Sequence, residues 1–220
     1  MSMRMKFYTM LVCFMYVSLA SAQYPAIENS LDRKVKAFLE DNVNNWRDMN
    51  VSVSDGRILY DLIVENGYTK AVEIGTSTGH SAIWIAWALS KTGGKLITIE
   101  INKVRWLKAK ANFKKAGVDK FVEARLGDAH DLVPRLPGKY DFVFCDADKY
   151  WFRNYFMAMD PKLEVGGCFT AHNASMKIAG ILEFLEYIKG CENYETTINT
   201  NSRTGISISY KTAGKTSRHP

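Results

Sequence analysis

Residues 71–100, AVEIGTSTGHSAIWIAWALSKTGGKLITIE, constrain the fold more than any other part of the chain. The run 71–74 is short, apolar and ended by Gly75, the pattern of a buried parallel strand. Gly75 and Gly79 frame a tight turn, where glycine lets the backbone take a positive φ or approach a ligand closely. Ser81 opens an apolar helix whose free N–H groups can hold a carboxylate or phosphate. Glu100 closes the next strand, where an acidic side chain can accept both hydroxyls of a ribose. The spacing from Glu73 through Gly75 to Gly79 is not the G-x-G-x-x-G of dinucleotide binders, which argues against a nicotinamide-dependent oxidoreductase. A plain βαβ turn with no ligand stays open at this point.

The rest of the chain extends the same alternation. Strands are expected near 70–75, 95–100, 121–126, 140–145 and 166–172, with helices near 79–90, 102–116, 128–134, 150–160 and 177–189. That order is the signature of a parallel sheet covered on both faces, a Rossmann-like α/β fold. Ahead of it, Leu31, Val35, Phe38, Leu39, Val43 and Trp46 form one apolar stripe of a helix within 27–46. Ser54 or Asp55 is expected to cap a second helix running to about Glu65. Two alternating runs, 194–199 and 205–211, read as a hairpin added at the sheet edge. With no repeat and no linker, 23–211 is expected to be a single domain, followed by a disordered tail over 212–220.

Residues 1–22 stand apart. Arg4 and Lys6 precede the apolar run 7–19, and Ala20-Ser21-Ala22 fits a small-residue cleavage site before Gln23, so a secretory signal peptide is expected. Its removal sends the domain to the periplasm or outside the cell. The alternative is an uncleaved membrane anchor, although the run falls short of the about 20 apolar residues of a span. Setting aside Arg4 and Lys6 leaves 27 basic against 23 acidic residues, a net of +4. That excess is spread out, and Lys108, Lys110, Lys114 and Lys115 read as a solvated helix face rather than a nucleic-acid stripe. Beyond the leader, Cys145, Cys168 and Cys191 are an odd number without C-x-x-C spacing, which argues against a disulfide framework or structural zinc. Cys145, Cys168, Trp84 and Trp87 all lie in apolar contexts and read as core.

Ligands of such sheets bind beyond the carboxyl ends of the strands, and there the unusual polar groups fall. They are Gly75 to Ser81, Glu100, the run Gly127-Asp128-Ala129-His130, the run Asp146-Ala147-Asp148-Lys149, and His172-Asn173. Five consecutive polar strand ends form a site rim.

At these residues the chain from Met49 to Lys211 resembles the cation-dependent class I S-adenosylmethionine O-methyltransferases, the group of the catechol and caffeoyl-CoA O-methyltransferases. The matching pieces are MNVSVSDGRIL (49–59), VEIGTSTGHSA (72–82), ITIEIN (97–102), GDA (127–129), YDFVFCDADKYWFRNY (140–155), VGG…HN (165–173) and TGISISY (204–210). The resemblance implies S-adenosylmethionine as cofactor and a seven-stranded sheet, mostly parallel with an antiparallel last strand. It places Met49, Val51, Glu73, Gly75, Gly79 and Ser81 around the methionine end of that cofactor. It places Glu100 on the ribose, Ala129 and His130 at the adenine, and Asp146 between cofactor and metal. The implied reaction is methyl transfer to a hydroxyl of a small, catechol-like aromatic acceptor. Alignment of that oxygen and removal of its proton are then the work of the protein. Lys149 is one candidate base, with a solvent-facing lysine as its plain reading.

Two departures from the family shape the expectations. Where the resemblance implies an Asp-Asn pair of metal ligands, this chain has His172-Asn173, so a site of Asp146, His172 and Asn173 would favour Mn²⁺, Fe²⁺ or Zn²⁺ over Mg²⁺. Equally open are metal-free transfer with His172 as the base, and a protein that binds the cofactor but has lost turnover. A short connection after the fifth strand leaves the acceptor side more open than in the family, and His80 stands where the family has Tyr. The partner expected is a small-molecule acceptor, with a membrane only if the leader is retained; a homodimer is compatible with the sequence.

Overall fold

The structure is a computed structural model that describes residues 24–46, 48–201 and 204–213. The expected leader and most of the expected tail lie outside the described residues. Among the described residues, no helix is long and apolar enough to cross a membrane.

The described residues open with α1 (Ser30–Asp41) and α2 (Val53–Asn66), then alternate through β1 (Lys70–Ile74), α3 (His80–Thr92), β2 (Lys95–Glu100) and α4 (Lys103–Ala116). There follow β3 (Val122–Leu126), the short α5 (Ala129–Leu132), β4 (Tyr140–Cys145), α6 (Phe152–Met159), β5 (Leu163–His172) and α7 (Ala179–Lys189). The hairpin of β6 (Tyr194–Asn199) and β7 (Ile206–Lys211) closes the chain. All seven strands form one sheet in the order β3-β2-β1-β4-β5-β7-β6. The strands from β1 to β5 pair in parallel, and β7 runs antiparallel to both of its neighbours. The fold is therefore the mostly parallel seven-stranded sheet expected. The hairpin enters by its second strand: β7, with Ile206 and Ile208 buried, lies inside, and the more polar β6 forms the edge.

Side chains alternate across each strand, and both faces are covered. Phe142, Phe144 and Cys168 pack with α1, α2, α3 and α4, whereas Val143, Cys145 and Phe169 pack with α5, α6 and α7. Trp84 and Trp87 are fully buried on the first of these faces, and Cys145 and Cys168 are free and buried.

Two helix ends differ from expectation. The stripe of α1 stops at Asp41 because Asn42 turns its side-chain amide onto Phe38 O at 2.8 Å, which leaves Val43 53% exposed. The cap of α2 is Ser52, two residues before the earliest expected position; its side chain accepts from Asp55 N–H while the Asp55 carboxylate accepts from Ser52 N–H. Behind that cap, Gly56 faces Trp84 so closely that an added Cβ would stand 2.3 Å from the indole. Alanine gains about 1 kcal/mol over glycine inside a helix, but overpacking a fixed core ring costs about 3 kcal/mol, so the clash wins. Gly56→Ala should therefore lower the unfolding free energy by about 2 kcal/mol in urea titration, and an unchanged midpoint would show that Trp84 can yield.

Candidate active site

The strand order reverses between β1 and β4, so their carboxyl ends open a crevice there. A cavity of about 980 Å³ fills it. Gly75 shapes the floor: at φ +100 its Cβ would sit 2.9 Å from Asp146 O, so only glycine lets the two strand ends come this close.

The turn after β1 holds Glu100. Ser77, itself at φ +49, donates its N–H to Glu100 Oε2 at 2.7 Å, and Asn102 donates its N–H to Oε1 at 2.9 Å. Both carboxylate oxygens are thereby fixed on the cavity wall, 6% exposed, each with a lone pair to spare for a hydroxyl. Residues 48–52 dock onto the same turn: Ser77 Oγ donates to Asp48 O at 2.5 Å and Asn50 Nδ2 to Thr78 Oγ1 at 3.0 Å. His80 completes this dock from within the core. Its Nδ1 lies 2.9 Å from Val51 O, its Nε2 accepts from Trp84 Nε1 at 3.3 Å, and its ring stacks on Trp46. Burial lowers its pKa to about 4, so His80 is neutral and structural.

Of the residues named for a cofactor, Met49, Gly75, Glu100, Ala129, His130 and Asp146 line this cavity together. Val51 lines a smaller adjoining cavity of about 420 Å³. Glu73, Gly79 and Ser81 stand behind the wall, with Gly79 facing Phe113. Glu73 is fully buried, and burial pushes its pKa up to about 8 against the hydrogen bonds from Ser81 and Thr98. The floor at Gly75, the carboxylate of Glu100 and the plane of His130 fit a nucleoside. His130, on the cavity wall, stacks on Trp151 with centroids 3.7 Å apart.

The same cavity is lined by Asp146, Lys149, His172 and Asn173. Lys149 Nζ pairs with Asp146 Oδ1, and its ammonium lies 5.1 Å from the Phe152 ring. His172 is held on both sides. Its Nδ1 is 3.2 Å from Asp146 Oδ2, and its Nε2 is 3.3 Å from Asp55 Oδ2 and 2.9 Å from Thr204 Oγ1. Burial works against its charge, but the bonds and charges of Asp146 and Asp55 prevail and raise its pKa to about 9. It is a cation at neutral pH. Asn173 takes φ +62 at the end of β5, and only residues 173–178 lead from there to α7. Of the donors read from the sequence as a metal site, Asp146, His172 and Asn173 line one cavity and Asp146 lies 3.2 Å from His172; Asp55, which was not among them, stands at the far ring nitrogen. Among the described residues, no group of three or more His, Cys, Asp or Glu side chains is arranged to hold a metal ion.

Sequence reasoning did not single out Asp55 or Thr204 as site residues. The Ser52-x-x-Asp55 spacing was a legible capping signal, yet nothing local ties Asp55 to a histidine 117 residues away.

Comparison with known proteins bears on this geometry. The family model described as O-methyltransferase matches residues 23–181. The catechol O-methyltransferase of Niastella koreensis is 37% identical over 112 residues, covering 49% of this chain and 50% of that protein. The caffeoyl-CoA O-methyltransferase of Medicago sativa is 33% identical over 128 residues, covering 56% of this chain and 51% of that protein. The chain thus spans about half the length of these curated relatives. Among solved structures, the O-methyltransferase from Bacillus cereus in complex with SAH superposes with a TM-score of 0.71 at 24% identity, covering 89% of this chain and 97% of that one. TomG from Streptomyces achromogenes, an O-methyltransferase in complex with SAM, gives a TM-score of 0.69 at 24% identity, covering 90% and 96%. These two likenesses bear on the fold, and the family match carries the assignment: the chain belongs to the O-methyltransferase family.

Proposed function

We propose that the chain is an S-adenosylmethionine-dependent O-methyltransferase acting on a hydroxyl of a small aromatic acceptor. One observation carries this reading: a single cavity joins Glu100, suited to a ribose, with Lys149, suited to a hydroxyl. The names of the relatives, catechol and caffeoyl-CoA O-methyltransferase, agree with an aromatic acceptor. When bound, S-adenosylmethionine supplies a methyl group already activated on a sulfonium. The chain then has to orient the acceptor and accept its proton. Tyr150 and Ile178 line the cavity together with Lys149 and would give a planar ring apolar surfaces to lie against. Lys149 is the side chain that would receive the hydroxyl proton, and Asp146, its ion-pair partner, would hold the ammonium that results. His172 is unsuited to that step because both of its nitrogens are engaged and it already carries its proton.

Calorimetry with S-adenosylhomocysteine tests the cofactor half of the proposal. Glu100→Ala should weaken binding by about 2 kcal/mol, or about 30-fold, through loss of a charge-assisted bond. Failure of the wild type to bind would overturn the reading. Binding without methyl transfer to any phenol or catechol would instead favour a cofactor-binding protein that has lost turnover.

A further inference from the structure

We propose that the outward face of α4, together with Met49, docks onto an anionic lipid surface. A surface helix ordinarily turns polar side chains to solvent. On α4, Val104 and Leu107 lie three residues apart and so on one face, yet they are 75% and 52% exposed, and the exposed Ala111 continues their stripe. The inward face is a different one: Ala109, Phe113 and Ala116 are the buried residues of the helix. Ile101, just before the helix, is 65% exposed, and Met49 is 69% exposed. Large apolar side chains gathered on one exposed face mark a contact with something apolar.

Met49 is tied to the same surface. Arg105, on α4, donates to the Asp48 carboxylate from Nε at 3.1 Å and from Nη2 at 2.8 Å, while Asp48 O and Asn50 are held by Ser77 and Thr78. Between these two anchored residues Met49 takes φ +48. Met49 and Ile101 also line the large cavity, so the exposed apolar surface reaches its mouth.

Charge selects the occupant. At about 3.6 residues per turn, Lys108 and Lys115 border the apolar stripe on one side, and Lys103, Lys110 and Lys114 border it on the other. The helix carries no Asp or Glu. Lys103 stands in its first turn, where the helix dipole favours an acid, so this basic run does not serve the helix itself. An apolar stripe between rows of lysine suits a lipid surface, with Val104 and Leu107 entering the headgroup boundary and the ammonium groups meeting phosphates. A second copy of the chain on this face would set lysines against lysines. A nucleic-acid backbone would satisfy the lysines but leave Val104 and Leu107 without a partner.

The test is photolabelling of the full chain by vesicles that carry a diazirine-bearing phospholipid, with the labelled peptides located by mass spectrometry. In vesicles containing phosphatidylserine, label should appear on residues 101–111. It should fall at least about tenfold in vesicles of phosphatidylcholine alone, because several lysines face the surface and each adds to the attraction. Val104→Glu combined with Leu107→Glu should lower it about tenfold or more, since both apolar contacts are lost and two negative charges face the lipid. Label confined to residues 1–22 or to another face overturns the proposal. So does equal labelling of 101–111 in wild type and double variant, or with and without phosphatidylserine. A dimer in analytical ultracentrifugation that the double variant abolishes, with no label on α4, overturns it in favour of a second copy. The map of the wild type decides by itself should the variant fail to fold.

Discussion

Replacing Lys149 with methionine should lower kcat for methyl transfer about 1000-fold, within the range supplied by a positioned general base. Methionine keeps the unbranched stem that lies over Phe152 and removes only the amine, so packing should be retained. Affinity for S-adenosylhomocysteine should change less than about twofold, because the nucleoside contacts sit at Glu100. Lys149→Arg should not rescue the rate, since a guanidinium stays protonated and cannot take the hydroxyl proton. Single-turnover kinetics separate the steps: a burst of unchanged rate followed by slow release would mean that Lys149 acts elsewhere. A variant that keeps more than about a tenth of the rate would remove Lys149 from the proton-transfer role.

The second large effect is on stability. Glu73 and His172 both hold protons more tightly in the folded chain than outside it, with pKa values raised to about 8 and about 9. A raised value means stability that is present at low pH and lost as the pH climbs through the folded pKa. His80 behaves oppositely, because its value is lowered to about 4 and its contribution is lost as the pH falls. Between pH 4.5 and 6.5, Glu73 and His80 nearly cancel. From 6.5 to 8 the unfolded chain has released both protons that the folded chain still holds, and from 8 to 9 only His172 still contributes. At about 1.4 kcal/mol per pH unit for each group, stability should fall by about 5 kcal/mol between pH 6.5 and 9. Urea titrations at the two pH values read this directly. Glu73→Gln should flatten the part below 8, and His172→Gln should flatten the slope up to 9. Equal wild-type midpoints at pH 6.5 and 9 would mean that neither proton is held.

Much of the architecture was legible because each strand ends in chemistry that a strand cannot continue. Gly75, Glu100 with Asn102, Gly127 with Asp128, and Asp146 each end an apolar run, and β1 to β4 end at or just before them. That β7 lies inside and β6 at the edge was not legible, because pairing order is a contact between distant segments and has no local signature. The site was less legible for the same reason. Glu100 could be placed by its position after β2, but its hold on Ser77 depends on a positive φ at a non-glycine residue. The stacking of His130 on Trp151 joins α5 to the segment after β4, a contact between distant residues that has no local signature. His172 invited a reading as a ligand or base because its type and position are visible in sequence and its two carboxylate neighbours are not.

Asp55 serves two structures at once. Its Oδ2 closes the capping box of α2 through Ser52 and also faces His172 Nε2. Folding of the first turn of α2 and the charge on His172 therefore draw on one carboxylate, and each is a term in the free energy of the other. Opening at residues 52–56, where Gly56 N–H bonds to Ser52 O at 3.0 Å, is in this way coupled to events at the end of β5. The start of one helix thus shares a carboxylate with a histidine more than a hundred residues further along the chain.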